Sequence, residues 1–133
     1  MILARALYLL FAVAAGGRSL VQWLDDPGRA PLAYALSTLA FGCYLAGYVA
    51  TSPRRAGHRR RMVGVLASVE LAGVLVVGTL SLAAPGLFPD ATVWSAYGAG
   101  YAFAPLVIPV VLLGWLHRSR GVPSAAPALA PSV

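Results

Sequence analysis

Charged residues are scarce in this sequence. They make up 11% of its 133 residues, whereas a soluble domain usually carries about 25%. Apolar residues make up 59% of the chain. So few charged side chains cannot cover a water-exposed surface of this size, and we therefore expect most of the chain to be surrounded by lipid.

Lysine and asparagine are absent altogether. All ten basic residues are arginines, and the net charge is +6. A basic chain can bind nucleic acid, but these arginines flank apolar runs, which is typical of membrane proteins. The composition therefore predicts no nucleic-acid partner. The bias towards alanine, glycine, valine and proline indicates a GC-rich bacterial genome, and hence a multi-pass protein of a bacterial cell membrane.

Residues with reactive or metal-binding side chains are also few. Cys43 is the single cysteine, so no internal disulfide can form. The two histidines, His58 and His117, lie among arginines, and no metal-ligand spacing surrounds them. The sequence shows no nucleophile–base set, phosphate-binding glycine loop or haem motif. We therefore expect no enzymatic activity, no bound metal and no cofactor.

Four apolar runs dominate the chain, at about 4–24, 32–51, 62–84 and 92–116. Each has about 20 residues or more, which is enough for a helix to cross a hydrocarbon core of about 30 Å. The fold is therefore predicted to be all-α, a four-helix transmembrane bundle over residues 1–118. The first run lacks the cleavage pattern of a signal peptide and is expected to remain as a helix. The tail, 119–133, is rich in Pro, Ala and Ser and is predicted to be disordered and cytoplasmic.

The placement of the arginines predicts how the chain crosses the membrane. The loop between the second and third runs is strongly basic, whereas the other two loops hold three aspartates and one arginine. Basic loops stay in the cytoplasm, so this loop and both termini are predicted to be cytoplasmic. The basic residues of the loop are also predicted to attract anionic lipid headgroups. They are Arg54, Arg55, Arg59, Arg60 and Arg61.

Aromatic residues near the ends of the runs are predicted to anchor the helices at the lipid–water interface. Those expected at the outer boundary are Trp23, Tyr34, Phe88 and Trp94, and those expected at the inner boundary are Tyr8, Tyr48 and Trp115.

One acid, Glu70, lies inside the third apolar run. The rise of a helix places it about 12 Å from the inner end of that run, where an ionised carboxylate costs roughly 2.5–3.5 kcal/mol. It should therefore face the bundle interior or be protonated. Two roles stay open, namely a proton relay or cation site, and a structural hydrogen bond that fixes helix packing. Tyr44 or Tyr101 is predicted as the direct partner, with Arg18 reached through water or not at all.

Arg18 and Gln22 share one face of the first predicted helix. Arg18 lies close enough to the outer boundary for its long stem to carry the guanidinium to the headgroups, which is the favoured interpretation. The alternative is a polar pocket of Arg18, Gln22 and Asp25 that opens to the outside and takes an anion or a lipid headgroup.

Small residues predict close helix contacts in two places. Gly64, Ser68 and Ala72 recur at every fourth position of the third run, which is a common helix-contact pattern in membranes. Gly98 and Gly100 would allow close approach on the fourth run.

Three stretches carry a resemblance to a known group. These are "RALYLLFAVAAGGRSLVQ", "RRMVGVLASVELAGVLVVGTLSL" and "FPDATVWSAYGAGY" followed by "PLVIPVVLLGWL". Together they resemble small four-span integral membrane proteins of actinobacteria, over nearly the whole chain except the tail. The resemblance implies a lineage but no particular chemistry. The chain is also similar in size and span count to the small multidrug resistance transporters, which carry one membrane carboxylate on the first helix; here the first helix holds Arg18, and the acid is on the third.

The sequence leaves three classes of function. The leading hypothesis is an accessory or scaffold subunit, acting as a homodimer or with another membrane protein, since no catalytic set is visible and helix-contact residues are abundant. The second is a small proton-coupled transporter that uses Glu70. The third, ranked last, is a lipid-modifying enzyme at the outer face near Arg18, Gln22, Asp25 and Asp90.

Overall fold

The computed structural model describes residues 2–52 and 59–118, and this part of the chain is helical with no strands. Its four α-helices are α1 (Ile2–Asp25), α2 (Pro31–Ala50), α3 (Arg59–Ala83) and α4 (Ala104–Arg118). Short 3-10 turns at Pro85–Leu87 and Ser95–Tyr101 lie between α3 and α4. The predicted tail and most of the arginine-rich loop, including Arg54 and Arg55, fall outside the described residues.

The first two helices form an antiparallel hairpin. Residues of rising number along α1 contact residues of falling number along α2, as expected for two antiparallel helices. Arg5 meets Tyr48, Phe11 meets Tyr44, and Trp23 meets Tyr34. A glycine permits close approach of the two helices between the start of α1 and the end of α2, where Tyr8 packs directly on Gly47. Pro31 at the first position of α2 fits the general preference for proline at a helix start.

Three of these helices, α1, α2 and α3, are long and apolar enough to cross a membrane. Each presents many large apolar side chains on its outer surface, such as Leu10, Val13, Leu39 and Val76. A water-soluble protein does not expose so continuous an apolar surface. The described residues therefore define a multi-pass helical membrane protein, with a fourth crossing only if the bent segment before α4 belongs to the same span.

The fourth predicted membrane helix, over 92–116, is not one continuous helix in the structure. Residues 92–103, here called the broken segment, form a loop and a 3-10 turn, and the turn meets α4 at an angle of 100°. The 15 residues of α4 cover only about 22 Å. Hydropathy did not reveal the break, since the segment is as apolar as a helix would be.

Backbone geometry explains where the helix fails. Ala96, Tyr97 and Gly98 all have positive φ values, as do Ala102 and Phe103. This left-handed region is rarely used by residues other than glycine. Gly98 is required at its position, because an added Cβ would lie 2.8 Å from the Pro105 ring. Pro105 in turn suits the first turn of α4, where a missing N–H does no harm.

Two aromatic side chains of the broken segment pack into α3. Trp94 fits against Gly73 and Tyr97 against Gly78, at positions where any Cβ would collide with the ring. Trp94 and Tyr8 are each only 1% exposed. The prediction that these two residues are interfacial anchors is therefore wrong, because both lie in the packed interior of the bundle.

Candidate functional site: a buried polar chamber around Glu70

Glu70 lies in the interior of the bundle, on the face of α3 that packs against the other elements. Its side chain is 0% exposed. Neither Oε1 nor Oε2 has a hydrogen-bond partner among the described residues. A buried polar atom without a partner costs about 1–3 kcal/mol, and native proteins keep few of them.

Two tyrosines approach Glu70 from the hairpin. Tyr8 of α1 and Tyr44 of α2 are both fully buried, and both lie within electrostatic range of the carboxyl. Their hydroxyls also lack a hydrogen-bond partner among the described residues. Cys43, the residue before Tyr44 in α2, lies in the same range. Polar groups thus lie near the carboxyl, but the tyrosine hydroxyls and the carboxyl oxygens form no hydrogen bond with one another.

Trp94 of the broken segment completes this group. Its indole Nε1 is buried close to the Tyr44 hydroxyl, but the two do not reach hydrogen-bond geometry. We call the set Glu70, Tyr8, Tyr44 and Trp94 the chamber. Every member is at most 1% exposed, and every polar side-chain atom in it is unpartnered among the described residues.

The structure brings together only some of the residues predicted around Glu70. Tyr44 does lie beside it, although no hydrogen bond joins the two. Tyr101 lies next to Tyr44 at the chamber wall and packs edge-on against Phe11, with ring centroids 6.3 Å apart. Sequence reasoning missed Tyr8 and Trp94. Gly47 and Gly73 receive their rings, but a glycine in the sequence does not specify which ring fills the space it leaves.

The chamber has defined chemical possibilities. A buried carboxyl can hold or release one proton, and its negative form attracts a cation. Faces of Tyr and Trp rings also attract cations. Hydroxyl and indole N–H groups can donate to the carboxylate once the side chains shift slightly. The ionised carboxylate therefore suits a proton or a cation, and the set holds no basic side chain.

Arg18 does not join the chamber. Its Nη2 donates to the Ala91 carbonyl oxygen over 2.6 Å, which ties α1 to the start of the broken segment. Its Nε and the Gln22 Oε1 are buried and have no partner among the described residues. Arg18 is thus engaged by backbone at the end of the bundle that holds the α1–α2 turn, and Asp25 is exposed one turn beyond Gln22.

The same end of the bundle has a second polar contact that the sequence did not indicate. The Tyr34 hydroxyl donates to Asp90 Oδ2 over 2.7 Å, and Arg29 Nε lies 3.3 Å from Asp90 Oδ1. Nearby, the Ser19 and Thr38 hydroxyls share a hydrogen bond of 2.6 Å. The two contacts of Asp90 fasten the hairpin to the loop that precedes the broken segment, and the Ser19–Thr38 bond joins α1 to α2.

The predicted helix-contact residues are placed in different environments. Gly64 is half-buried near Leu116, while Ser68 and Ala72 are exposed and open to a partner outside the chain. Gly98 is buried in the broken segment, and Gly100 is exposed with no atom within 4 Å of an added Cβ. Glycines that were not predicted as contact residues also lie between helices of this chain, such as Gly16 against Phe41.

Of the predicted headgroup arginines, three are described. Arg59 is half-buried, and Arg60 and Arg61 are exposed. Arg60 Nη2 donates to the Leu116 carbonyl oxygen over 2.6 Å, so the start of α3 and the end of α4 lie at the same end of the bundle.

Comparison with known proteins adds no relative. No protein-family model, no curated protein and no solved structure matches the chain. Within the described ranges, no group of three or more His, Cys, Asp or Glu residues could hold a metal ion. The classification as a multi-pass membrane protein therefore rests on the helices themselves, and the proposed activity rests on the chamber.

Proposed function

We propose that the protein is a small proton-coupled transporter of the bacterial cell membrane, with Glu70 as the group that takes up and releases the proton. The observation that carries this proposal is the chamber. The chamber consists of four buried side chains whose polar atoms have no partner among the described residues, and one of the four carries the carboxyl. A purely structural acid would be expected to hold at least one hydrogen bond.

The broken segment supports the same proposal. Irregular backbone at membrane depth is tolerated only where protein covers it or where it lines a water-filled cavity. Transporters commonly build their sites from such interrupted helices. Here the interruption supplies Trp94 to the chamber and places several left-handed residues directly before α4. Segments of this kind can absorb the changes in φ and ψ that a moving gate requires.

The substrate class is a cation. The chamber combines one acid with three aromatic rings, and none of its members is basic. Proton and cation would then compete for the Glu70 carboxylate, so that binding of one releases the other. Exchange of this kind couples the two fluxes without any further charged group.

The direct test uses liposomes that contain the full chain and a pH-sensitive dye. Tetraphenylphosphonium added outside should drive proton movement through the wild-type protein. Glu70→Gln should abolish this signal, because the amide cannot exchange a proton. Asp90→Asn is the matched control, since it removes an acid at the outer end, away from the chamber. Equal proton movement in wild type and Glu70→Gln would rule the proposal out.

The orientation of the chain in the membrane is part of this proposal. The arginine-rich loop and both termini are placed in the cytoplasm by the positive-inside rule. Single cysteines can check this in a Cys43→Ser background with an impermeant thiol reagent. A cysteine at Gly28 should be labelled in intact cells, and one at Gly57 should be labelled only after the cells are opened. The opposite pattern would reverse the orientation.

A second candidate is an accessory or scaffold subunit. It is favoured by the exposed small residues Ser68 and Ala72 on α3, which leave room for a helix from a second copy or from another membrane protein. Ala72→Trp should then shift the chain from a larger complex to a monomer on a native gel. Leu39→Trp, on an exposed lipid-facing position of α2, is the control. A wild-type chain that runs as a monomer would remove this candidate.

A further inference from the structure

A groove runs along the surface between α3 and α4 at the arginine-rich end of the bundle. Its volume is about 770 Å³, within the range of about 300–1,000 Å³ that is usual for ligand pockets. The walls are apolar along their length and basic at one end. The apolar lining includes Val65, Val69, Leu113 and Leu116, and the basic end consists of Arg60, Arg61 and His117.

Small residues keep the groove open. Gly64 and Ser68 form its floor on α3, and a larger side chain at either position would fill it. The Ser68 hydroxyl donates to the Gly64 carbonyl oxygen over 2.8 Å, so it presents no free donor to the groove. The floor is therefore suited to a hydrocarbon chain and not to a polar ligand.

The basic end is arranged to receive an anion. Arg60 holds the Leu116 carbonyl oxygen with Nη2, which fixes its guanidinium at the C-terminal end of α4. Among the described residues, Arg61 forms no ion pair or hydrogen bond. No acid lines the groove. Positive charge at this end is thus left uncompensated by the protein.

The dimensions match a membrane lipid. α3 has 25 residues and is about 37 Å long, so its first turn extends beyond a hydrocarbon core of about 30 Å. Arg60 and Arg61 therefore lie at headgroup level. Val69 is eight residues further along, which is about 12 Å deeper. An acyl chain that enters beside Val65 can follow the groove while its phosphate stays with the arginines.

We infer that this groove binds one anionic glycerophospholipid, with the phosphodiester held by Arg60, Arg61 and His117 and an acyl chain lying over Gly64 and Ser68. The site is separate from the chamber, so the inference does not depend on the proposed transport. It goes beyond general attraction of basic residues to the membrane surface, because it specifies one lipid in one position.

Native mass spectrometry of the full chain in detergent can test this. After delipidation, phosphatidylglycerol should rebind to the wild type as a single adduct, and neutral phosphatidylcholine should rebind at least about fivefold more weakly. Arg61→Gln should weaken phosphatidylglycerol binding about fivefold, which is the usual effect of one basic residue near an anionic surface. Arg118→Gln, at the same end but outside the groove lining, should have little effect. Equal binding of both lipids by the wild type would overturn the inference.

The hydrocarbon part of the site needs its own variants. Ser68→Trp should abolish the adduct by filling the groove, while Ala72→Trp, one turn further along the same exposed face, should retain it. Excess inorganic phosphate should not displace the lipid; displacement would mean that the site recognises a free anion, and the inference would fail. Loss of a dimer in Ser68→Trp, with lipid binding unchanged, would show that a second copy occupies the groove instead. Since Arg61 is exposed, the charge test stands even if Ser68→Trp does not fold.

Discussion

The indole ring of Trp94 occupies the space that any side chain at Gly73 would need. A Cβ built at Gly73 lies 2.8 Å from Trp94 Cζ3. The two residues come from different elements, namely α3 and the broken segment, and Trp94 is 1% exposed. The absence of a side chain at one position therefore fixes how the irregular part of the chain docks on the bundle.

Gly73→Ala should accordingly destabilise the protein by about 1–3 kcal/mol, the usual cost of overpacking a well-packed interior. Gly17→Ala is the matched control, because nothing lies within 4 Å of its added Cβ and alanine favours a helix. Unfolding in mixed micelles with increasing SDS measures both. A loss at Gly17 equal to that at Gly73 would contradict the docking described here.

Glu70→Met should raise the free energy of unfolding and abolish the proposed proton transport. It replaces an unpartnered buried carboxyl with an apolar side chain of similar length, and this removes a penalty of about 1–3 kcal/mol. If Glu70 instead served as a structural hydrogen-bonding group, the same change would lower stability. The sign of the shift in the SDS unfolding midpoint therefore separates the two roles, with Glu70→Gln expected to fall between the wild type and Glu70→Met.

The contacts of Asp90 should differ in strength. The Tyr34 hydroxyl bonds to Asp90 from a side chain that is 2% exposed, whereas the Arg29 side chain is 61% exposed. Arg29→Gln should therefore cost only about 0–1 kcal/mol and lose its effect in high salt. Tyr34→Phe should cost more and respond less to salt. Unfolding at low and high ionic strength gives the comparison, and a larger loss for Arg29→Gln would reverse the assignment.

Ala102 offers a test of the strained backbone. Its φ of 52° and ψ of 36° lie in the left-handed region, where a residue with a Cβ is less stable than glycine by roughly 1–2 kcal/mol. Ala102→Gly should therefore stabilise the chain by about 1 kcal/mol. Ala99→Gly, at an exposed residue of the same segment without positive φ, should destabilise it slightly. Destabilisation by both changes would indicate that the segment is helical after all.

Much of the membrane domain could be predicted from hydropathy alone. The first three runs were predicted at 4–24, 32–51 and 62–84, and the helices occupy Ile2–Asp25, Pro31–Ala50 and Arg59–Ala83. Hydropathy measures transfer into lipid, which is a property of composition and not of backbone shape. For that reason it could not separate the broken segment from a straight fourth helix, although Gly98 and Pro105 both mark the region.

The environment of Glu70 was predictable only in part. Counting residues gives depth along a helix, and it predicted Tyr44 at the level of Glu70; in the structure the two lie within electrostatic range and share no hydrogen bond. It does not give the rotation of each helix about its axis. Tyr8 lies near the acid because Gly47 admits its ring, and Trp94 reaches Gly73 and Tyr44 because the chain unwinds before α4. Both causes are tertiary, and no local pattern encodes them.

The unwound backbone before α4 also bears on how the protein is inserted during synthesis. A regular helix can leave the translocation machinery sideways into lipid, since its amides are already satisfied. Residues 92–103 do not form a regular helix, and their side chains pack on earlier elements, with Trp94 and Tyr97 against α3 and Tyr101 against Phe11 of α1. The last part of the chain must therefore be received by helices already in place, which makes the order of synthesis part of the assembly of this protein.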